Sequence, residues 1–598
     1  MSIVPLRKVT LLGSSRDIPR TLKGLQALGC MHLVPLDAAA PRSVGAAEAQ
    51  GTKKARTALR FLLGAPAQRR QVEYDEDFDF DAVATEALAV RRRRRRVQAR
   101  IDELEARIRE VEPWGHFVLP PLDEMAGQRL WFYVVPHYLK RRMEPGALPW
   151  QVVHRDNRSE YVVLISPSEP PPEAMPVQRS RVGVVPLDEL RRALASAESN
   201  LEDLQAQRWS LTRWGSLLIR NLARSDDLAA RTRAREQLLR EDGVFAVQGW
   251  VPVPELARLS AFAEEEGLAC VHSEPAHDEA PPVLLSNPPP LEPGEDLVRF
   301  YQIPGYRDWD PSPVVYISFA LFFAMILADA AYGALLGLLT LVLWPRMGAE
   351  PSSRRLRRMF MAIAAASTAY GVLVGSYFGA APPEGSHLAR VHLVDATDFA
   401  SMMPLSIGIG VAHLVLANLI TAWIRRRQWS ALAPIGWCLV LIGGFIAYLG
   451  ARTAGLSSLG IGLVVVTFFT SQRPLTGPGA FFLRIVDGLF AWTRISKAFG
   501  DTLSYLRLFA LGLSSASLAV TFNRLGTEVM GNGLGIPLVL GLLVLILGHG
   551  LNILLGIVGG VVHGLRLNVI ELYNWSIFDE GTSFRAFRHK ALSVRDVE

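Results

Sequence analysis

Apolar and polar positions divide this chain into two regimes. Residues 1–310 mix charge with short periodic stretches, and residues 311–575 are mostly apolar. In the first regime, residues 8–12 read as a strand, residues 17–28 have helical spacing, and residues 31–34 return as a strand. A second set follows at residues 243–252 (strand), 254–267 (helix) and 269–272 (strand), with further strands expected at 129–136 and 160–166. Two longer tracts repeat apolar residues at spacings of three and four. One is Val97, Ile101, Leu104, Ile108 and Val111. The other is Leu187, Leu190, Leu194, Ala197, Leu201 and Leu204. They predict two helices packed as an antiparallel coiled coil within one chain. The fold class is therefore mostly α. A proximal α/β lobe with linker is expected from residues 1–80 and 225–310, the coiled coil from 81–115 and 185–224, and a distal α/β lobe from 116–184.

The second regime, residues 311–598, predicts a transmembrane domain, since about 20 apolar residues span a bilayer. Residues 314–344 form a run too long for one crossing, interrupted by Asp329, and read as two crossings that turn there. Further segments lie near 357–379, 402–424, 431–450 and 455–471. Residues 481–500 are amphipathic and suit the interface. Two long last helices, about 501–530 and 535–575, bring the total to eight crossings. Loop charge supports this count. Arg346, Arg354, Arg355, Arg357 and Arg358 fall in one loop and Arg425, Arg426 and Arg427 in another. Arg473, Arg484, Arg494 and Lys497 fall in a third, and Arg585, Arg588, Lys590 and Arg595 in the tail. The opposite loops hold Arg390, Arg452 and Arg524. Both termini are thus expected in the cytoplasm, with no cleavable signal peptide at the N-terminus.

Composition removes several function classes. The three cysteines, Cys30, Cys270 and Cys438, form no metal or disulfide pattern. The net charge of +6 is explained by basic cytoplasmic loops and calls for no nucleic acid. No lysine follows a glycine-rich phosphate loop, so no nucleotide site and no cofactor is expected. Arg91 to Arg96 read as a solvated helix face, or as a contact for an acidic partner subunit.

The chemistry lies in two arginines placed inside apolar stretches, Arg507 and Arg566. A guanidinium in hydrocarbon is expensive and does not shed its proton, so it must face a bundle interior, a water cavity or a partner. On a helical wheel Ser504, Arg507 and Ser514 share one face, and Asn552, Gly559, His563, Arg566 and Tyr573 share another. A fixed carboxylate such as Asp329 is one possible counter-charge; a mobile one is the other.

Three stretches carry a resemblance: Tyr505 to Leu511 (Tyr-Leu-Arg-Leu-Phe-Ala-Leu), His563 to Leu567 (His-Gly-Leu-Arg-Leu), and Phe323 to Gly333. They resemble the membrane stator, subunit I or subunit a, of rotary V-type and V/A-type ATPases. Residues 284–287 and 306–311 fit the same family's entry into the membrane. The resemblance implies that Arg507 and Arg566 are the family's two essential membrane arginines, facing carboxylates on a proteolipid ring. It implies proton half-channels, with Asp329, Ser504, Ser514, Asn552, His563 and Glu571 as lining candidates. It also implies no nucleotide chemistry in this chain and a multi-pass place in the plasma membrane. The partners it implies are the peripheral-stalk subunits E/G and the C/d connector of the central stalk. The chain departs from some eukaryotic members in having Ser515 where they have histidine and Gly556 where they have glutamate. The rival reading is a secondary active ion transporter, which would show two related halves with broken helices; no such repeat is visible.

Overall fold

Leu6, Val9 and Leu11 are buried along β1 (Leu6–Ser14), while the residues between them are more exposed. Val9 and Leu11 lie on one face, as the two-residue period of a strand requires. α1 (Ile18–Leu28) follows and ends at Gly29, whose φ of 65° suits a residue without Cβ. Then come β2 (His32–Val34), α2 (Ala46–Leu63) and α3 (Phe80–Val111). The Asp79 carboxylate caps α3 by accepting from the Asp81 and Ala82 amides. β3 (Arg129–Pro136), β4 (Trp150–Arg155) and β5 (Ser159–Ser166) form an antiparallel sheet in the order β3-β5-β4. α4 (Leu187–Leu211), α5 (Gly215–Glu236), β6 (Leu239–Glu241), β7 (Val244–Pro252), α6 (Leu256–Glu265) and β8 (Ala269–Ser273) complete this half. The second sheet runs β2-β7-β1-β8, with β6 also on β7.

The computed structural model describes all residues except 1, 37–45, 119–122, 144, 147, 172, 181–184, 349–350, 384, 396–397, 475–476, 532–534 and 591–598. Of residues 46–52 and 351 it describes the backbone alone. Arg595 therefore lies outside the described residues. The chain divides into two compact units. One comprises Gly13–Gly29, Pro35–Val247 and Phe587–Glu598; the other comprises Met1–Leu12, Cys30–Val34 and Gln248–Ala586.

Within the first unit, α3 and α4 run antiparallel. Leu104 and Val111 pack with Leu187 and Leu190, while Ala87 and Val90 pack with Leu204 and Leu211. The second helical tract continues past its expected end at residue 224, through a 3-10 turn at Thr212–Trp214, to Glu236.

The second unit continues with α7 (Pro293–Tyr301), α8 (Ser312–Leu327), α9 (Ala330–Leu343), α10 (Pro351–Val374), α11 (His387–Val391) and α12 (Phe399–Ile424). α13 (Leu432–Tyr448), α14 (Arg452–Phe469), α15 (Pro478–Ala491), α16 (Arg494–Leu503), α17 (Leu506–Met530) and α18 (Ile536–Arg566) follow. A π-helical segment, Leu567–Leu572, extends α18.

α8 stops at Ala328, which has a φ of 48°, and the chain turns back at Asp329. The Tyr316 hydroxyl reaches the Arg358 carbonyl at 3.5 Å, and Arg357 donates to the Trp344 carbonyl at 3.2 Å. At the other end of α10 the Ala330 amide donates to the Ser376 carbonyl at 2.8 Å. α8 and α9 are thus the arms of a hairpin laid on α10. Among the described residues five segments are long and apolar enough to cross a membrane. They are Phe399–Ile424, Trp429–Tyr448, Arg452–Phe469, Pro478–Met530 and Ile536–Ser576; α8 and α9 are shorter apolar helices.

Candidate functional site

Tyr505 fixes the entry to α17. Its ring is fully buried, meets Phe322 edge-on, and its hydroxyl lies 2.7 Å from His413 Nδ1. Two residues on, Arg507 projects toward the end of α18, with its side chain about one-third exposed at 32 %. Its Nη1 stands 3.8 Å from Oε1 of Glu571, a carboxylate only 2 % exposed on the π-helical segment. Such segments are rare overall and recur at functional sites. Ser504 lies beside the same carboxyl, and its own hydroxyl donates to the Gly500 carbonyl at 3.1 Å. Both guanidinium groups lie within electrostatic reach of His563 and of Glu571.

Five predicted residues, Ser504, Arg507, His563, Arg566 and Glu571, therefore converge. Three buried atoms among them, Arg507 Nη1, His563 Nδ1 and Glu571 Oε2, have no hydrogen-bond partner among the described residues. Buried polar atoms in a finished core are nearly always paired. These three neighbouring atoms leave polar capacity that water or a polar group of another molecule can meet.

The two faces of α18 explain where such a group would come from. Gly541, Gly548, Asn552, Gly556, Gly560 and Gly564 are buried along one seam. A Cβ at Gly560 would stand 2.5 Å from the Phe323 ring, and one at Gly541 2.2 Å from Met530 Cγ. Small residues here bring α18 close to α8 and α17. The opposite face exposes Ile546, Leu547, Leu551, Leu554, Val558 and Val562. Arg566 is exposed as well and makes no ion pair among the described residues. An apolar face of this extent, carrying a permanent cation, suits lipid or an apolar partner bearing an anion.

The remaining candidates lie elsewhere. Asn552 donates to the Ser515 carbonyl at 2.9 Å and to the Tyr332 hydroxyl at 3.1 Å. Tyr332 is 2.7 Å from His549 Nδ1, and His549 Nε2 is 2.9 Å from Asn523 Oδ1. This second polar cluster joins α9, α17 and α18. Its histidine and tyrosine were not singled out from the sequence, although His549 precedes Asn552 by one helical turn. Asp329 is a helix cap: Oδ1 accepts from the Ala331 and Tyr332 amides, and Oδ2 from the Ser376 hydroxyl and the Gly379 amide. It is not a partner of either arginine. Ser514 is exposed; its neighbour Ser515 is buried and donates to the Leu327 carbonyl at 3.3 Å.

No protein-family model matches the chain. Curated relatives do. V-type ATP synthase subunit I of Chlamydia pneumoniae is 29 % identical over 496 residues, covering 69 % of this chain and 70 % of that one. V-type ATP synthase subunit I 1 of Treponema pallidum is 26 % identical over 648 aligned residues, covering 98 % of this chain and all of its own. A-type ATP synthase subunit I of Pyrococcus horikoshii is 29 % identical over 374 residues, covering 59 % of this chain and 55 % of its own. Among solved structures, the cytoplasmic N-terminal domain of subunit I, homolog of subunit a, of V-ATPase aligns with 45 % of this chain and 100 % of its own. That alignment has 14 % identity and a TM-score of 0.23.

Proposed function

We propose that this chain, a homologue of the subunit I proteins of V-type and A-type ATP synthases, is the membrane stator of a rotary ATPase and carries protons past a ring of carboxylate-bearing subunits. The observation that carries this reading is the pairing of Arg507 and Arg566 with an open apolar face on α18, beside buried polar atoms that lack partners among the described residues. A ring helix seated on that face would bring its carboxylate to the guanidinium groups.

The mechanism follows from charge. A fixed cation favours the ionised form of a carboxylate that approaches it, so the ring residue gives up its proton on one side before taking another from the opposite side. Arginine suits the role because it stays charged at all working pH values. Glu571 competes with the ring carboxylate for Arg507, so the arginine is held when no ring residue is opposite and released when one arrives.

Two half-channels need two polar regions at different depths. His549 and Arg566 are 17 positions apart on one helical element, about 25 Å at 1.5 Å per residue. That approaches the roughly 30 Å of hydrocarbon in a bilayer. The Asn523–His549–Tyr332–Asn552 cluster is the candidate lining for one half-channel, and Ser504, His563 and Glu571 for the other. α8, α9, α10, α12, α13, α14, α17 and α18 supply the eight crossings, with both termini on the cytoplasmic side. The paired α3 and α4 form the coiled coil of a rod. Its lobes would grip peripheral-stalk subunits against torque, and nucleotide chemistry would reside in other subunits.

The test is ATP-driven acidification of vesicles by the assembled complex carrying Arg507→Ala or Arg566→Ala. Both variants are expected to assemble and to lose coupled proton transport. Undiminished pumping by the double variant overturns the assignment.

A further inference from the structure

A groove of about 700 Å³ opens between the C-terminal turns of α12 and the start of α13. Leu419, Leu432 and Ile435 make part of its lining apolar, and Arg426 and Arg427 line it as well. The guanidinium carbon of Arg426 lies 4.5 Å over the Trp423 ring. Stacking of this kind uses the face of the guanidinium and leaves its in-plane N–H donors free. Neither Arg426 nor Arg427 has a side-chain hydrogen bond or ion pair among the described residues.

Several arginines of the other basic loops are engaged. Arg355 is bound to Asp296 at 2.8 Å, Arg358 to the Pro289 carbonyl at 2.6 Å, and Arg473 to Asp487 at 2.8 Å. Arg425, immediately before the pair, is also stacked on an aromatic ring, Phe578, at 4.3 Å, and does not line the groove. The 426–427 pair is two adjacent guanidinium groups without a counter-charge among the described residues, lining an apolar groove. Two tryptophans frame it: Trp423 is 69 % exposed and Trp429 is 78 % exposed. Indole rings left open beside arginines at a helix end suit the level of lipid headgroups.

We propose that this groove holds one anionic phospholipid, its phosphate on Arg426 and Arg427 and an acyl chain along Leu419, Leu432 and Ile435. Charge selects the anionic headgroup over a zwitterionic one, because two guanidinium groups face it and no carboxylate does. The apolar wall selects a lipid over a soluble anion, which would leave that wall in water. Basic pockets between membrane helices recognise headgroups in this way. The site lies on α12 and α13 and is independent of the arginines on α17 and α18, so its test separates from theirs.

Native mass spectrometry of the full-length chain in detergent reads the result, with phosphatidylglycerol and acyl-matched phosphatidylcholine titrated in parallel. The first phosphatidylglycerol is expected to bind at least tenfold more tightly than phosphatidylcholine. Arg426→Gln with Arg427→Gln removes that preference, the paired lysine variant retains part of it, and Arg452→Gln retains all of it. Unchanged melting temperatures exclude misfolding of these exposed variants. Equal retention of the two lipids by the parent chain, or an undiminished preference in the double glutamine variant, overturns the proposal. Displacement of phosphatidylglycerol by equimolar inorganic phosphate also overturns it, by assigning the groove to a free anion.

Discussion

Arg507 Nη1 and Glu571 Oε1 stand 3.8 Å apart, bringing together the start of α17 and the segment that extends α18. The distance is that of an ion pair without a tight hydrogen bond, and each partner keeps an unpaired buried atom, Nη1 on one side and Oε2 on the other. Such a pair restrains the arginine without saturating it. Glu571→Gln keeps the shape and removes the competing charge. The ring carboxylate would then hold Arg507 longer at each step. We expect assembly to persist and the initial rate of vesicle acidification per complex to fall at least tenfold, equivalent to about 1.4 kcal/mol on the barrier. An unaltered rate would remove Glu571 from the mechanism.

Asp329 collects four donors on two oxygens at the turn between α8 and α9. Asp329→Ala loses a cap, about 1 kcal/mol, and leaves buried amides unpaired, about 1–3 kcal/mol. The apparent melting temperature of the purified chain should drop markedly. Asp329→Asn retains the Oδ1 acceptor and should fall between the two. Neither arginine touches this carboxylate, but it caps the amide of Tyr332 in the second polar cluster, so any loss of pumping per folded complex should be smaller than that of Arg507→Ala.

The glycine seam on α18 predicts opposite outcomes at two nearby positions. Gly560→Leu drives side-chain atoms into the Phe323 ring, and overpacking of this kind costs about 1–3 kcal/mol. Gly550 has open space where a Cβ would stand. Gly550→Ala should be neutral or up to about 1 kcal/mol stabilising from helix propensity. Paired melting curves in detergent check the contrast.

His32 governs a pH-dependent contact outside the membrane segments. Its Nδ1 accepts from the Arg585 amide at 2.9 Å, and its ring lies 5.6 Å from that of Phe584. Burial, and then the positive charge of Arg585, hold the imidazole below its ordinary value of 6.5. A depressed histidine stabilises the fold only while neutral. This contribution is complete above 6.5 and is lost as the pH falls below that value toward the folded-state pKa. Hydrogen exchange at residues 583–586 should be slow at pH 7.5 and faster at pH 5.5. His32→Gln should flatten that dependence; an equal response in both proteins would exonerate the imidazole.

Much of this architecture was legible in the residues, for definite reasons. The first half of β7 alternates because one face of it is buried, and the apolar runs are long because they face lipid or one another. Arg507 and Arg566 stood out because a guanidinium in an apolar helix has no cheap explanation. What escaped depends on partners far away in sequence. His549 looked ordinary because Tyr332 lies 217 positions earlier. The capping role of Asp329 is hidden in the sequence because only the turn reveals the amides it holds. Glu571 is a lining candidate from the sequence, but its pairing with Arg507 is hidden there because a helical wheel assumes 3.6 residues per turn, and the backbone after Arg566 abandons that period.

That change of winding ties the C-terminal exit to chain length. Beyond it, Trp575 donates to Asp501 at 2.7 Å and meets Trp437 edge-on. Deleting one residue between 567 and 570 would let ordinary winding resume and turn everything downstream by about 100° around the axis. Glu571 would leave its arginine and Trp575 its carboxylate together, a failure that no exchange of one side chain reproduces. Here the spacing of the backbone is itself the conserved quantity to look for, and a family alignment should tolerate substitutions in this stretch far better than gaps.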